Sequence, residues 1–431
     1  MAVSLQSYEV SDLCLGKPAL YWLPITATVG DALKALKQQS SHDTELGVWN
    51  CSHNTGNKVA DAGLHHQQVE CRCLGKVCMV DIICYLSTDE CLYDPARALG
   101  APIIDLLLSR APTRVRQVDP HTRLLQALDL ILHGAQNLIV PIESLKRLSF
   151  KKLGQKIGSA KSTSPTSHEG KEFCWITQED VLRFLLGFIA VFSPLPSMTI
   201  EDLGIVNTEI LTVEYDKPAA TALNIIKQAS QTQTAVAVIE QDPLQGPKLI
   251  GEISPSTLMC CDETVALALA TLSAGDFMAY VDCGGPPDSL VEIVRRRMDQ
   301  KTGLNGKGEQ GSSIAASEQK YPGKQKQLTD PWEESSDEEF CDASPTGPLD
   351  NYKKWSRSCS FRSNKLGFAS RSRRATPLTC RPWSTLVAVM VQALAHRVNY
   401  VWVTDEESNL VGIVTFLDIL GVFWSHLQTL D

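Results

Sequence analysis

One amphipathic helical pattern occurs four times in this chain, and this repetition constrains the fold more than any other feature of the sequence. In each copy, apolar residues stand at i, i+3, i+4 and i+7, so they form one stripe along a helix. The copies begin at residues 29, 124, 219 and 386. Their members are Val29, Ala32, Leu33 and Leu36; Leu124, Ala127, Leu128 and Ile131; Ala219, Ala222, Leu223 and Ile226; and Leu386, Val389, Met390 and Ala393.

Two short apolar strands follow each of these helices, and a second helix follows the strands. The first strands are predicted at Leu46–Trp49, Leu138–Ile142, Ala235–Ile239 and Tyr400–Val403. The second strands are predicted at Leu74–Val77, Phe173–Ile176, Leu249–Ile253 and Leu410–Val414, and the second helix is clearest at Phe416–Phe423. The sequence therefore predicts an α/β (α+β) fold of four β-α-β-β-α units, whose hairpin loops carry the insertions.

One such unit is too small to bury its own helix and sheet faces, so we expect the units to pair, first with second and third with fourth. The first three helical patterns start 95 residues apart, but 167 residues separate the third from the fourth. The surplus falls in a stretch rich in Ser, Gly, Lys and Gln, which predicts a long disordered insert. The predicted boundaries are 10–90, 105–192, 200–298 and 376–428 for the units, and 299–375 for the insert.

A short motif, G-x-x-[ST]-x-x-D, ends the second strand of the fourth unit with Gly412, Thr415 and Asp418. Related residues stand at the same place in the other units. They are Gly75, Cys78 and Asp81 in the first; Cys174, Thr177 and Asp180 in the second; and Gly251, Ser254 and Thr257 in the third.

These four occurrences resemble CBS (cystathionine-β-synthase type) repeats, and the whole chain resembles a plant four-CBS protein. It is distantly similar to the gamma subunit of AMP-activated protein kinase. The resemblance implies that the repeats pair as two Bateman modules with clefts for AMP, ATP or another adenosine-containing ligand. It also implies a regulatory protein that needs no cofactor and acts on a partner such as a protein kinase.

By the same resemblance, Asp418 and Asp180 would bind ribose, with Thr415 and Thr177 beside them. Gly412 lets backbone approach closely, and Asp81 is a weaker candidate because Cys78 replaces the hydroxyl residue. A structural interpretation stays open, because a Thr at a helix start is commonly a cap and an Asp in the first turn favours the helix dipole.

The residues just before the strand of the fourth unit depart from the gamma subunits, which have basic residues there. This chain has Asn399 and Tyr400 at that place, and His396 and Arg397 come earlier. The departure leaves nucleosides and S-adenosyl compounds open as ligands beside the nucleotides.

The hairpin of the first unit contains four residues with metal-binding side chains: Cys51, His53, Cys71 and Cys73. Alternate residues of a strand share a face, so these side chains would converge in a zinc site if the strands continue to them. Ordinary hairpin residues are the alternative. The spacing is Cys-x-Cys and Cys-x-His, less typical of zinc sites than Cys-x-x-Cys.

Three serines are candidate phosphorylation sites. Ser149 lies in a basic insertion of the second unit. The alternatives for this insertion are a solvated loop and a partner-binding helix. Ser335 and Ser336 precede Asp337 in the long insert, and this acidic surrounding is typical of sites that acidophilic kinases phosphorylate. A plain flexible spacer is the alternative for that insert.

Composition and motifs exclude several classes of function. A net charge of −9 disfavours nucleic-acid binding, which needs clustered Lys and Arg. The apolar stretch Phe184–Phe192 is far shorter than the ~20 residues of a membrane span, and we expect a buried helix there. We see no signal peptide, P-loop, nucleophile elbow or kinase motif set, so we expect a cytoplasmic or nuclear protein that is not an enzyme. A scaffold with empty clefts and a homodimer are alternatives that the sequence leaves open.

Overall fold

A computed structural model describes nine stretches of the chain, and all structural statements below concern them. They are residues 7–38, 45–50, 71–108, 115–142, 167–168, 171–243, 246–258, 264–282 and 376–429. The predicted insert at 299–375 lies outside these residues.

Four small sheets carry the fold, each with the same arrangement of three strands. A central strand pairs in parallel with the strand before it and antiparallel with the strand after it. A fourth short strand, β6, extends the second sheet. The strands are β1 Trp22–Pro24, β2 Glu45–Asn50, β3 Arg72–Cys78, β4 Val115–Gln117, β5 Asn137–Ile142, β6 Ser167–His168, β7 Lys171–Ile176, β8 Thr212–Glu214, β9 Val236–Asp242, β10 Gly246–Ile253, β11 Thr379–Cys380, β12 Tyr400–Thr404 and β13 Leu410–Thr415. The predicted mixed α/β architecture is confirmed.

The helices follow the predicted apolar stripes, whose residues are buried at nearly every position. They are α1 Val10–Leu13, α2 Val29–Gln38, α3 Met79–Leu86, α4 Asp89–Tyr93, α5 Pro95–Gly100, α6 Ile103–Leu108, α7 Leu124–Leu132, α8 Gln178–Gly187, α9 Leu223–Thr232, α10 Pro255–Leu258, α11 Thr264–Thr271, α12 Ala274–Asp282, α13 Leu386–His396 and α14 Phe416–Thr429. The third stripe begins in a 3₁₀ turn, Ala219–Ala222, directly after Pro218. The single buried helix predicted over Phe184–Phe192 is instead the end of α8 followed by a 3₁₀ turn, Ile189–Phe192.

In the described residues, no helix combines the length and apolarity that crossing a membrane requires.

Segments that precede one unit in the chain pair with the neighbouring unit in space. The backbone N–H of Val10 donates to Thr122, and that of Leu124 donates to Tyr8, so the segment before the first unit joins the second. The segment before the second unit joins the first in the same way, through Ile103 to Ala27 and Val29 to Ala101. Thr199, directly before the third unit, likewise bridges to Thr385 of the fourth unit.

The sheets of the first two units face each other through a small apolar cluster. Leu20 and Trp49 of the first unit pack against Ile139 and Phe173 of the second. The third and fourth units have a matching cluster, in which Ala237 and Ile239 meet Tyr400, Trp402 and Ile413. Sheet residues of the first unit thus contact those of the second, and sheet residues of the third contact those of the fourth.

Helices make a different set of contacts, which joins the units into one assembly. One core cluster contains α3 of the first unit together with α9 and α11 of the third. A second cluster contains α7 and α8 of the second unit together with α13 and α14 of the fourth. Each unit thus packs its sheet on one neighbour and its helices on another, an arrangement that the sequence analysis did not predict.

Candidate functional site

The motif of the fourth unit forms a capping box at the start of α14. The Thr415 N–H and hydroxyl donate to Oδ2 of Asp418 at 2.9 Å and 2.6 Å, respectively. The Asp418 N–H in turn donates to the Thr415 hydroxyl oxygen at 3.2 Å. These bonds satisfy N–H groups that a helix start leaves without partners. Oδ1 of Asp418 has no hydrogen-bond partner among the described residues.

The corresponding residues of the other three units start their helices in the same way. The first residue of each pair donates its backbone N–H to the second: Thr177 to Asp180 at 2.7 Å, Cys78 to Asp81 at 2.8 Å and Ser254 to Thr257 at 3.1 Å. Thr28 and Asp31 form the same kind of capping box at the start of α2, although they do not belong to the motif. The hydrogen bonds from Thr28 hold the pKa of Asp31 below its ordinary value. Capping therefore accounts for these residue types, and the motif alone does not separate a ligand-binding carboxylate from a cap.

Gly412 is required by a close approach of the chain itself. A Cβ at this position would lie 2.5 Å from Cγ1 of Val206 and 2.7 Å from the carbonyl oxygen of Asn207. Asn207 and Ile413 exchange two backbone hydrogen bonds of 2.9 Å beside it. Gly412 thus seats the segment that precedes the third unit against β13.

A groove of about 620 Å³ lies between that segment and α14. Asp418 lines the groove, whereas Thr415 and Gly412 do not. The groove is lined by Leu195, Leu203, Gly204, Ile205, Val206, Asn207, Asp418, Gly421, Val422, Ser425, His426 and Thr429. The 203–207 side of this groove comes from outside the fourth unit, and sequence reasoning about that unit alone missed it.

The carboxylate of the second unit, Asp180, already has a charged neighbour. The Lys17 ammonium lies 2.5 Å from Oδ2 of Asp180 and donates to the carbonyl oxygen of Trp175 at 2.7 Å. Both side chains are partly buried, so solvent screens this ion pair less than it screens a surface pair. Lys17 lies before β1, and its ammonium pairs with the carboxylate that the sequence analysis assigned to ribose.

Comparison with known proteins places the chain in a family. A model of the CBS domain matches residues 376–425, which hold the fourth unit. The chain is 43% identical over 436 residues to the CBS domain-containing protein CBSX5 of Arabidopsis thaliana, with 99% of each chain covered. The chain belongs to the plant CBS domain-containing proteins.

Further relatives are similar to this CBS protein over nearly its whole length. CBSX6 of Arabidopsis thaliana is 31% identical, with 97% of this chain and 94% of the relative covered. The SNF1-related protein kinase regulatory subunit gamma-like PV42b of the same plant is 20% identical, with 98% and 96% covered. Among solved structures, a putative archaeal homologue of the AMPK gamma subunit from Methanocaldococcus jannaschii aligns with 96% of this chain and 100% of its own. Its TM-score is 0.49 and its sequence identity is 12%.

A buried polar cluster joins the first two units of this CBS protein and was not predicted. Lys76 donates to Glu45 at 2.6 Å and to the side-chain oxygen of Asn137 at 2.8 Å. Asn137 donates in turn to the other carboxylate oxygen of Glu45 at 2.9 Å. At the equivalent interface between the third and fourth units, buried Glu252 accepts from the Tyr400 hydroxyl and the Trp402 indole, at 2.8 Å and 2.7 Å. Neither contact has a local sequence pattern, since the partners are far apart in the chain.

Two cysteines, Cys14 and Cys174, lie together beside the Lys17 ion pair. A hydrogen bond from the Cys174 thiol, together with the charge of Lys17, lowers the pKa of Cys14 below its ordinary value. The same thiol contact, together with burial, raises the pKa of Cys174. Cys14 is therefore the more acidic thiol of the pair.

The predicted zinc ligands and phosphorylation sites lie mostly outside the described residues. Cys51, His53, Ser149, Ser335 and Ser336 all do, so the predictions for them stay predictions. Of the other two candidate ligands, Cys73 has its pKa raised to about 12 by burial and Cys71 is partly buried. The described stretches contain no group of three or more His, Cys, Asp or Glu residues placed to hold a metal ion.

Proposed function

We propose that this CBS protein is a non-catalytic regulator that binds an adenosine-containing ligand in the Asp418 groove and acts on a partner such as a protein kinase. We further propose that its four units are CBS repeats, paired through their sheets as two Bateman modules. The two sheet-to-sheet clusters and the reciprocal exchange of segments support this pairing. The protein would work in the cytoplasm or the nucleus, and a homodimer stays an open prediction.

The groove at Asp418 is the observation that carries the proposal. Its volume of about 620 Å³ falls within the range of small-molecule sites. Apolar side chains such as Ile205 and Val422 offer contacts to a flat base. Oδ1 of Asp418 offers an acceptor for a ribose hydroxyl while Oδ2 is engaged by Thr415.

The other two predicted carboxylates are weaker candidates for ligand binding. Lys17 neutralises Asp180, and a ribose there would have to compete with an ammonium at 2.5 Å. Asp81 caps α3 through the Cys78 N–H, and Cys78 brings no hydroxyl to a ligand. We therefore rank Asp418 first among the predicted site residues, Asp180 with Thr177 second, and Asp81 last.

A kinase partner is supported by the printed name of one relative, the regulatory subunit gamma-like PV42b, which covers nearly the whole chain. The test is binding of the purified full-length protein to the catalytic subunit of a SNF1-related kinase, with and without adenosine compounds. Kinase activity that is unchanged by the protein, together with no binding, would remove the kinase from the proposal.

Calorimetry tests the groove with a matched pair of variants. Asp418→Asn keeps a side-chain acceptor for the cap but removes the charge, and Asp31→Asn makes the same change in a capping box outside the groove. A charge-assisted hydrogen bond contributes roughly 1.5–3 kcal/mol. Asp418→Asn should therefore weaken the best adenosine ligand about ten-fold or more. Asp31→Asn should leave its affinity unchanged.

The second candidate function is a protein-binding scaffold with empty clefts. The Lys17–Asp180 ion pair favours it, because the chain itself neutralises one of the predicted ligand carboxylates. If no adenosine compound binds wild-type protein at millimolar concentration, the scaffold is the better account.

A further inference from the structure

The groove that we propose as the ligand site is poor in positive charge. Among the described residues that line it, Asp418 is the acidic residue and none is Lys or Arg. His426 is the other titratable side chain, and it lies against the Phe192 ring. The remaining lining residues are apolar, glycine, or neutral and polar. The charge that a ligand would meet is therefore negative.

The start of α14 does not offset this negative charge. A helix N-terminus attracts anions because its first N–H groups lack partners. Here the Phe416 N–H donates to the Asn399 carbonyl oxygen and the Asp418 N–H donates to the Thr415 hydroxyl oxygen, so two of these N–H groups are engaged. A phosphate at this position would have to lie beside the Asp418 carboxylate and would find two of the helix N–H groups already engaged.

Two basic side chains that are buried or partly buried elsewhere in the described residues also have polar partners. Lys76, which is 7% exposed, is the only buried Lys or Arg of the described residues. Its ammonium lies 2.6 Å from the Glu45 carboxylate. Arg381, which is partly buried in the fourth unit, donates to the backbone carbonyl and the hydroxyl of Thr404.

From these charges we infer that the Asp418 groove selects adenosine compounds without phosphate groups, either neutral, as adenosine is, or cationic, as S-adenosyl sulfonium compounds are. This inference rests on the proposed function and specifies the ligand class. The base would pack on the apolar wall, and Oδ1 of Asp418 would accept from the ribose hydroxyls. A phosphate at the 5′ position weakens binding because it adds like charge to a negatively charged groove.

Calorimetry on full-length protein with adenosine, S-adenosylmethionine, AMP and ATP tests the inference. We expect adenosine or S-adenosylmethionine to bind at least ten-fold more tightly than AMP, and ATP to bind most weakly. The preference should shrink as salt is raised, since ions screen a repulsion between partly exposed charges.

A gain-of-function pair of variants tests the cause. Ser425→Lys places an ammonium on the exposed lip of the groove, and Gln428→Lys adds the same charge to α14 outside it. Ser425→Lys should tighten AMP binding by about ten-fold relative to adenosine, and Gln428→Lys should not change the ratio. Circular dichroism and thermal unfolding establish that each variant is folded.

Each outcome has a separate meaning for the two proposals. AMP or ATP binding wild-type protein more tightly than adenosine would overturn the inference and leave the proposed function intact. An AMP-to-adenosine ratio that changes equally in both lysine variants would overturn the role of the groove charge. No binding by any of the four compounds would overturn the proposed function and this inference with it.

Discussion

Replacing Gly412 with Ala gives the sharpest test of how the groove is built. The added Cβ would lie 2.5 Å from Cγ1 of Val206 and 2.7 Å from the Asn207 carbonyl oxygen. Ordinary contact distances are about 3.5–4.0 Å, so the neighbours must move by about 1 Å. One of those neighbours is backbone, which a rotamer change cannot relieve.

The expected cost follows from this geometry. Overpacking by one methyl group in a close-packed site costs roughly 1–3 kcal/mol. Moving Asn207 also strains its two backbone hydrogen bonds to Ile413, which contribute about 1 kcal/mol each. We expect Gly412→Ala to lower the free energy of unfolding by roughly 1–3 kcal/mol, and to lower Tm by about 2–4 °C for each kcal/mol.

Gly421→Ala is the matched control, since Gly421 lies within α14 and a Cβ there would meet no atom within 4 Å. Ala in a helix interior is about 0.5–1 kcal/mol more stable than Gly, so this variant should be more stable than wild type. Urea unfolding followed by circular dichroism measures both variants. If Gly412→Ala is as stable as Gly421→Ala, the close approach of the 203–207 segment to β13 is wrong.

Three further predictions concern the contacts between units. Lys17→Met should lower the free energy of unfolding by roughly 1–2 kcal/mol, a value between those for surface and buried ion pairs. Lys17→Arg keeps the positive charge and should therefore retain most of the wild-type stability in thermal unfolding. Lys76→Met should cost roughly 3 kcal/mol because it leaves the Glu45 carboxylate without its cation, and adding Glu45→Leu to Lys76→Met should recover part of the loss in urea unfolding. Cys14 should react with iodoacetamide at neutral pH faster than Cys84 and Cys380, whose pKa values burial raises to about 12; peptide mass spectrometry gives the order, and equal rates would contradict it.

The sequence predicted the elements of the fold well, because each element has its own periodic pattern. The stripe of Leu386, Val389, Met390 and Ala393 could be recognised since one buried face imposes the 3.6-residue period. The single helix predicted over Phe184–Phe192 was wrong, because an apolar run without clear periodicity does not specify where one helix ends. Periodicity reports which residues are buried and says little about what covers them.

The arrangement between units could not be read from the sequence for a related reason. The spacing of 95 residues is the same whether the Val10 segment packs on the first unit or on the second. The motif of Gly412 and Asp418 pointed to the part of the fourth unit where the groove lies. However, the other wall, near Val206, comes from a segment that the boundaries had given to the third unit. Lys17 and Asp180 are 163 residues apart, and no local pattern links them.

Noncovalent contacts with earlier parts of the chain hold the fourth unit in place, because segments are exchanged between units. Thr385, directly before its helix α13, is bridged to Thr199, and its strand β13 is bridged to Asn207. Its helices pack on α7 and α8. All of these partners belong to the chain before residue 283. A protein supplied as two separate polypeptides, residues 1–282 and 376–431, would therefore retain every one of these contacts. We expect the two fragments to co-purify when they are expressed together.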